Sequence, residues 1–114
     1  MASATTKNGS SKPFVPSTGA IQVLTANAAL ADNTTFVKAS SASGAKTLSL
    51  PAAARFPGRE VTVFKEGGSG TIVIDPNASE QIDGATTLTL AAAKDVVTIV
   101  SIGTAWVVKS KVIA

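Results

Sequence analysis

The chain has 114 residues, 45% of them hydrophobic, with ten Lys and Arg against seven Asp and Glu, a net charge of +3, and no Cys, His or Tyr. That length holds one domain, and the missing residue types remove disulfide stabilisation and the usual base of nucleophilic catalysis. The basic residues are scattered rather than grouped, no apolar run nears the about 20 residues that span a bilayer, and no apolar signal region follows the start, so no nucleic-acid partner, no membrane partner and no signal peptide are expected.

Residues 1–19 are dominated by Ser, Thr, Ala, Gly, Lys and Pro, with Phe14 and Val15 the only large apolar side chains after Met1. Such a segment cannot by itself bury enough surface to offset its ordering entropy. It is read as an extended N-terminal arm, 1–19, preceding a folded unit, 20–114. Pro13 and Pro16 bracket Phe14 and Val15, and a proline holds the residue before it extended, so the four look like an anchor. No acid precedes Asp32, so Lys7 and Lys12 would suit an acidic protein surface; solvated lysines on a leader are the alternative. Fixing about 19 residues costs roughly 20–40 kcal/mol, which on the order of 1,000 Å² of apolar contact would offset. An ordered arm therefore implies a partner, either a neighbouring subunit or another protein.

Residues 21–25 and 34–39 read as short strands, and the Ala-rich stretch 27–33 between them as a helical turn or a loop. From Lys46 onward the period is two: Leu48 with Leu50, Val61 with Val63, Ile72 with Ile74, Leu88 with Leu90, and Val97 with Ile99 share a face. Threonines fill the alternate positions, as in a half-solvated antiparallel sheet. Gly67-Gly68-Ser69-Gly70 joins 61–65 to 71–75 as a hairpin loop, and Asp75-Pro76-Asn77, Asp83-Gly84 and Ile102-Gly103 supply further turns. Short strands at about 8–12-residue spacing predict a sandwich or barrel. Twenty of the hydrophobic residues are alanine, so the core is small and subunit contacts are expected to assist it.

An internal echo runs through this pattern. Thr47-Leu48-Ser49-Leu50, then Ala-Ala-Ala-Arg, then Val61-Thr62-Val63-Phe64 resembles Thr87-Leu88-Thr89-Leu90, then Ala-Ala-Ala-Lys, then Val97-Thr98-Ile99-Val100. Two copies are too few for a solenoid. They read as two similar strand-corner-strand units, arising by duplication or by convergence on the same β-vocabulary.

The candidate reactive groups each have a plainer reading. Asp75, Glu80 and Asp83 lie in a turn-rich segment where carboxylates commonly serve backbone geometry; a calcium site or a glycan-cleaving pair is the sharper alternative. The 67–70 glycines lack a following Gly-Lys-Ser/Thr and a helix, so they form a hairpin rather than a phosphate cradle. Trp106 is read as a core or lid residue, with an exposed sugar-stacking platform as the alternative. No cofactor, no metal and no enzymatic activity are expected.

Taken in order, Thr47-Leu48-Ser49-Leu50-Pro51, Pro57-Gly58-Arg59-Glu60-Val61-Thr62-Val63, Ile74-Asp75-Pro76, Ile82-Asp83-Gly84 and Val97-Thr98-Ile99-Val100-Ser101 with Gly103 and Trp106 resemble a module of bacteriophage virion proteins. That module occurs in tail fibres and in capsid decoration (cement) proteins, and the likeness covers roughly residues 20 to 108. It implies an all-β fold, a small antiparallel β-barrel or sandwich of β-tulip or jelly-roll kind, carried here behind the arm and assembled as a trimer. The role implied first is capsid decoration: a homotrimer on the outer capsid surface of the virion, made in the host cytoplasm, that grips the major capsid protein and stabilises the shell. Lys7, Lys12, Pro13, Phe14, Val15 and Pro16 would form the capsid-binding arm. The alternative role is a tail-fibre, tail-tip or head-fibre module binding host-surface glycans. Such a module is expected in a longer chain with a shaft, and this chain carries no collagen-like or coiled-coil shaft.

Overall fold

In the computed structural model, residues 20–113 are described. The arm, with Lys7, Lys12, Pro13, Phe14, Val15 and Pro16, lies outside the described residues. Within them the period-two phrases form nine strands: β1 (Ala20–Leu24), β2 (Ala28–Ala29), β3 (Thr34–Ser40), β4 (Ala45–Ser49), β5 (Glu60–Gly67), β6 (Thr71–Asp75), β7 (Leu88–Leu90), β8 (Val96–Ser101) and β9 (Trp106–Val112). A single 3-10 turn, Ala53–Arg55, follows Pro51. The Ala-rich stretch 27–33 forms no helix; it contains β2 and a turn, because Gln22 accepts from the backbone N–H of Ala31 and donates to the carbonyl of Ala29, pinning the segment as extended chain.

The strands build two open sheets, one of five in the order β9-β8-β5-β3-β1 and one of four in the order β2-β4-β6-β7. The all-β class and the two-layer arrangement match expectation, whereas a closed barrel and a wholly antiparallel pattern do not. Strands β1, β3 and β5 run parallel to one another, as do β2, β4 and β6; only β5–β8, β8–β9 and β6–β7 are antiparallel. The cause is the route of the chain. From β1 to β6 it changes sheet at every step, so each parallel pair is connected through one strand of the opposite sheet, where a helix would ordinarily make the crossover. The 67–70 loop therefore joins strands in different sheets and is a corner, not a hairpin.

Between the sheets lies the core. Leu24, Val37, Ala39, Val61, Val63, Val97, Ile99 and Trp106 enter from the five-stranded side, and Leu48, Ile72, Ile74 and Leu90 from the four-stranded side, with Leu30, Leu50, Ala53 and Ile82 closing it from the connections. The sequence echo has a structural counterpart here. Both echoing units, β4 to β5 and β7 to β8, leave the four-stranded sheet and enter the five-stranded one. Their second strands pair reciprocally, Val61 with Ile99 and Val63 with Val97, so the equivalent residues Thr62 and Thr98 sit directly opposite each other. The two hydroxyls are hydrogen-bonded at 2.8 Å, on a local pseudo-two-fold.

Candidate interaction surface

Two of the three carboxylates singled out from the sequence, those of Glu80 and Asp83, accept hydrogen bonds from backbone N–H groups. The Glu80 carboxylate accepts from the N–H of Ala53 at 3.0 Å and fixes the corner after β4. Asp83, with a left-handed φ of 50°, accepts through Oδ1 from the N–H of Val108 at 3.1 Å. Asp75 is exposed, and its carbonyl accepts from the N–H of Leu50. Trp106 is completely buried, so its indole packs in the core and offers no stacking face; its Nε1 finds no hydrogen-bond partner among the described residues. The 67–70 corner lies on the 41–44 corner: Gly70 N–H donates to the Ser41 carbonyl at 2.9 Å and the Ser69 hydroxyl to the Ala42 carbonyl at 2.7 Å. From beneath, the fully buried Lys65 donates through Nζ to the Gly68 carbonyl at 2.7 Å.

One cationic cluster lies at the opposite end. Arg55 and Arg59 approach the Phe56 ring at 5.2 and 4.9 Å from its centroid. Arg55 pairs with Asp32 at 2.8 Å, and Arg59 Nη2 donates to the carbonyls of Ala31 and Thr34. Burial pushes the Arg59 pKa below its ordinary value; Asp32 opposes this and Arg55 adds to it. These contacts bind the 31–34 turn to the 55–59 corner. Among the described residues no group of three or more His, Cys, Asp or Glu side chains converges as a metal site, and no helix is long and apolar enough to cross a membrane.

The outer faces of the two sheets differ sharply in chemistry. The four-stranded sheet turns outward Ala29, Ala45, Thr47, Ser49, Thr71, Val73, Asp75 and Thr89, a mainly polar set whose apolar members are one valine and two alanines. The five-stranded sheet turns outward a mixed set, in which Ile21, Val23, Phe36, Phe64, Val96, Val100, Val107 and Val112 share the face with Lys38, Ser40, Glu60, Thr62, Glu66, Thr98 and Ser110. Ile21, Val23 and Val112 are 65%, 61% and 62% exposed. The Phe36 and Phe64 rings lie 6.3 Å apart, and Lys94 Nζ is 5.5 Å from the centre of Phe64. Two Lys–Glu pairs frame this face, Lys38 with Glu66 at 3.6 Å and Lys109 with Glu60 at 2.9 Å. β1 is also an edge strand, with β3 as its only described neighbour in the sheet.

This apolar face was not singled out from the sequence, although a signal exists. Phe36-Val37, Val63-Phe64, Val96-Val97 and Ile99-Val100 are adjacent apolar pairs in strands, and a strand apolar on both sides is one covered on both sides. In comparison with known proteins, the chain matches no family model and no curated protein.

Proposed function

We propose that the chain is a bacteriophage capsid decoration protein: a homotrimer whose arms grip the major capsid protein on the outer surface of the virion, after synthesis in the host cytoplasm. The observation that carries this reading is where the arm joins the domain. The folded unit begins at Ala20, the first residue of β1, which is an edge strand of the five-stranded sheet among the described residues. A segment that precedes an edge strand can reach a partner beside the domain without crossing the core. Support also comes from the two-sheet body, where Glu80, Asp83, Ser41 and Ser69 serve its own corners and loops.

In mechanism the arm supplies the grip and the trimer supplies its strength. Pro13, Phe14, Val15 and Pro16 form the anchor, with Lys7 and Lys12 drawn to acidic capsid surface. Three arms engaging three subunits at once gain about 10²–10⁴ over one arm without any new kind of contact. Removing residues 1–18 is expected to abolish binding to purified capsids while the domain keeps its circular dichroism. Full-strength capsid binding by the truncated chain would sink the proposal. Copy number per virion, measured by quantitative mass spectrometry, separates decoration of the whole shell from a few copies at a tail or vertex.

A further inference from the structure

We infer that the outer face of the five-stranded sheet is the surface on which copies of this chain associate. The inference rests on the self-association proposed above, but not on the capsid as partner.

The first argument is the row that crosses the sheet. In the strand register Val23 lies beside Lys38, Lys38 beside Phe64, Phe64 beside Val96, and Val96 beside Val112, so one row spans all five strands with a single charge in it. The adjoining row begins with Ile21 beside Phe36 and continues through the hydroxyls of Thr62, Thr98 and Ser110. A monomer that keeps this face in water exposes Val23, Ile21 and Val112 beside two phenylalanine rings, an apolar grouping rimmed by polar side chains of the kind that marks an interaction site. The second argument is contrast, because the outer face of the other sheet carries one valine and two alanines as its apolar groups, against two phenylalanines and six larger aliphatic side chains here. The large apolar side chains left outside the core are thus gathered on one face of the protein rather than shared between the two.

Area and charge select the occupant. Five strands at about 4.8 Å spacing and about 20 Å of strand length project to roughly 500 Å², and side-chain relief brings this towards the about 800 Å² per partner of a standard interface. Charge on the face is nearly balanced, because Lys38 sits by Glu66 and Lys109 by Glu60. A second copy therefore meets no like-charge barrier and can exchange Lys–Glu partners across the contact. Three such faces turned toward one axis make a trimer, and two stacked faces a dimer; both use the same row.

The test is sedimentation velocity of the full chain over a wide concentration range, beside the double variant Val23→Asp, Val112→Asp. Both side chains are more than half exposed, so the variant is expected to keep the wild-type circular dichroism. Wild type should sediment as an oligomer and the variant as a monomer, with self-association weakened about 100-fold or more. A second readout uses the absence of cysteine. A spin label on Val23→Cys should report short distances between copies, and on Thr89→Cys, on the opposite sheet, longer ones. A variant that associates like wild type overturns the surface assignment and leaves self-association standing. A wild-type monomer at every concentration overturns both. A wild-type monomer whose β1 amides lose hydrogen-exchange protection when residues 1–18 are removed gives the face to the chain's own arm, which also overturns the inference.

Discussion

Gly70 stands where two corner loops touch. A Cβ there would press into the Gly44 carbonyl oxygen and the Ser41 hydroxyl, whereas one at Gly67 would meet nothing. The obstacle at Gly70 is backbone, which cannot swing aside, and moving it breaks the Gly70–Ser41 and Thr71–Gly44 hydrogen bonds. Gly70→Ala is therefore expected to cost about 3 kcal/mol and Gly67→Ala less than about 1 kcal/mol. Urea titrations followed by the fluorescence of Trp106, the single tryptophan, read both; equal midpoints would refute the account. Strain at Ala78 works in the opposite sense. Its φ of 50° suits glycine and its side chain is exposed, so Ala78→Gly should raise stability by about 0.5 kcal/mol, the relief of the left-handed conformation exceeding the added entropy of the unfolded chain. A midpoint lowered by the substitution would show that the strain is not there.

At the scale of elements, the corners are held by side chains that reach across long stretches of sequence. Glu80 receives the N–H of Ala53, and the buried hydroxyl of Ser101 donates to the Ala53 carbonyl at 2.6 Å, so both polar groups of one alanine are satisfied by distant residues. Glu80→Ala leaves a partly buried donor without its acceptor, and a loss of about 1–2 kcal/mol is expected; Glu80→Gln, which keeps an acceptor oxygen, should lose less than half of that. Identical midpoints for the two variants would refute the tie. The strands themselves were readable from Leu48, Val61, Val63, Ile72, Ile74, Val97 and Ile99, every one of which points into the core. Their direction was not, because side chains alternate in the same way in parallel and antiparallel strands. Nor could β2 be read: Ala28 and Ala29 have no pattern of their own and are extended because Gln22 holds the chain on one side and β4 pairs with it on the other. The apolar outer face of the five-stranded sheet was hidden as well. Its members are scattered one or two per strand, and only the sheet order gathers them.

On the scale of the whole molecule, the route of the chain decides how it folds and what stabilises it. Because successive strands up to β6 alternate between the sheets, no contiguous segment builds half of the core. The pairs that close it, such as Thr62 with Thr98 and Gly58 with Ser101, are far apart in sequence. Such a topology pays loop-closure entropy before contacts compensate, so folding on the millisecond-to-second scale and a single cooperative transition are expected. The core that results is small: sixteen buried apolar residues, mostly Val, Ile and Leu, with most of the described alanines left outside it. Association through the outer face of the five-stranded sheet then enters stability by mass action, since only folded chains present that face. Above the dissociation constant each tenfold rise in protein concentration should add roughly 1 kcal/mol, or about 4–8 °C in Tm for a domain of this size. The Val23→Asp, Val112→Asp variant, monomeric by the same argument, should melt at one temperature throughout. Differential scanning calorimetry over a hundred-fold concentration range separates the cases. A wild-type Tm that does not move would mean that this core stands alone, and that its apolar face is covered by something other than a second copy.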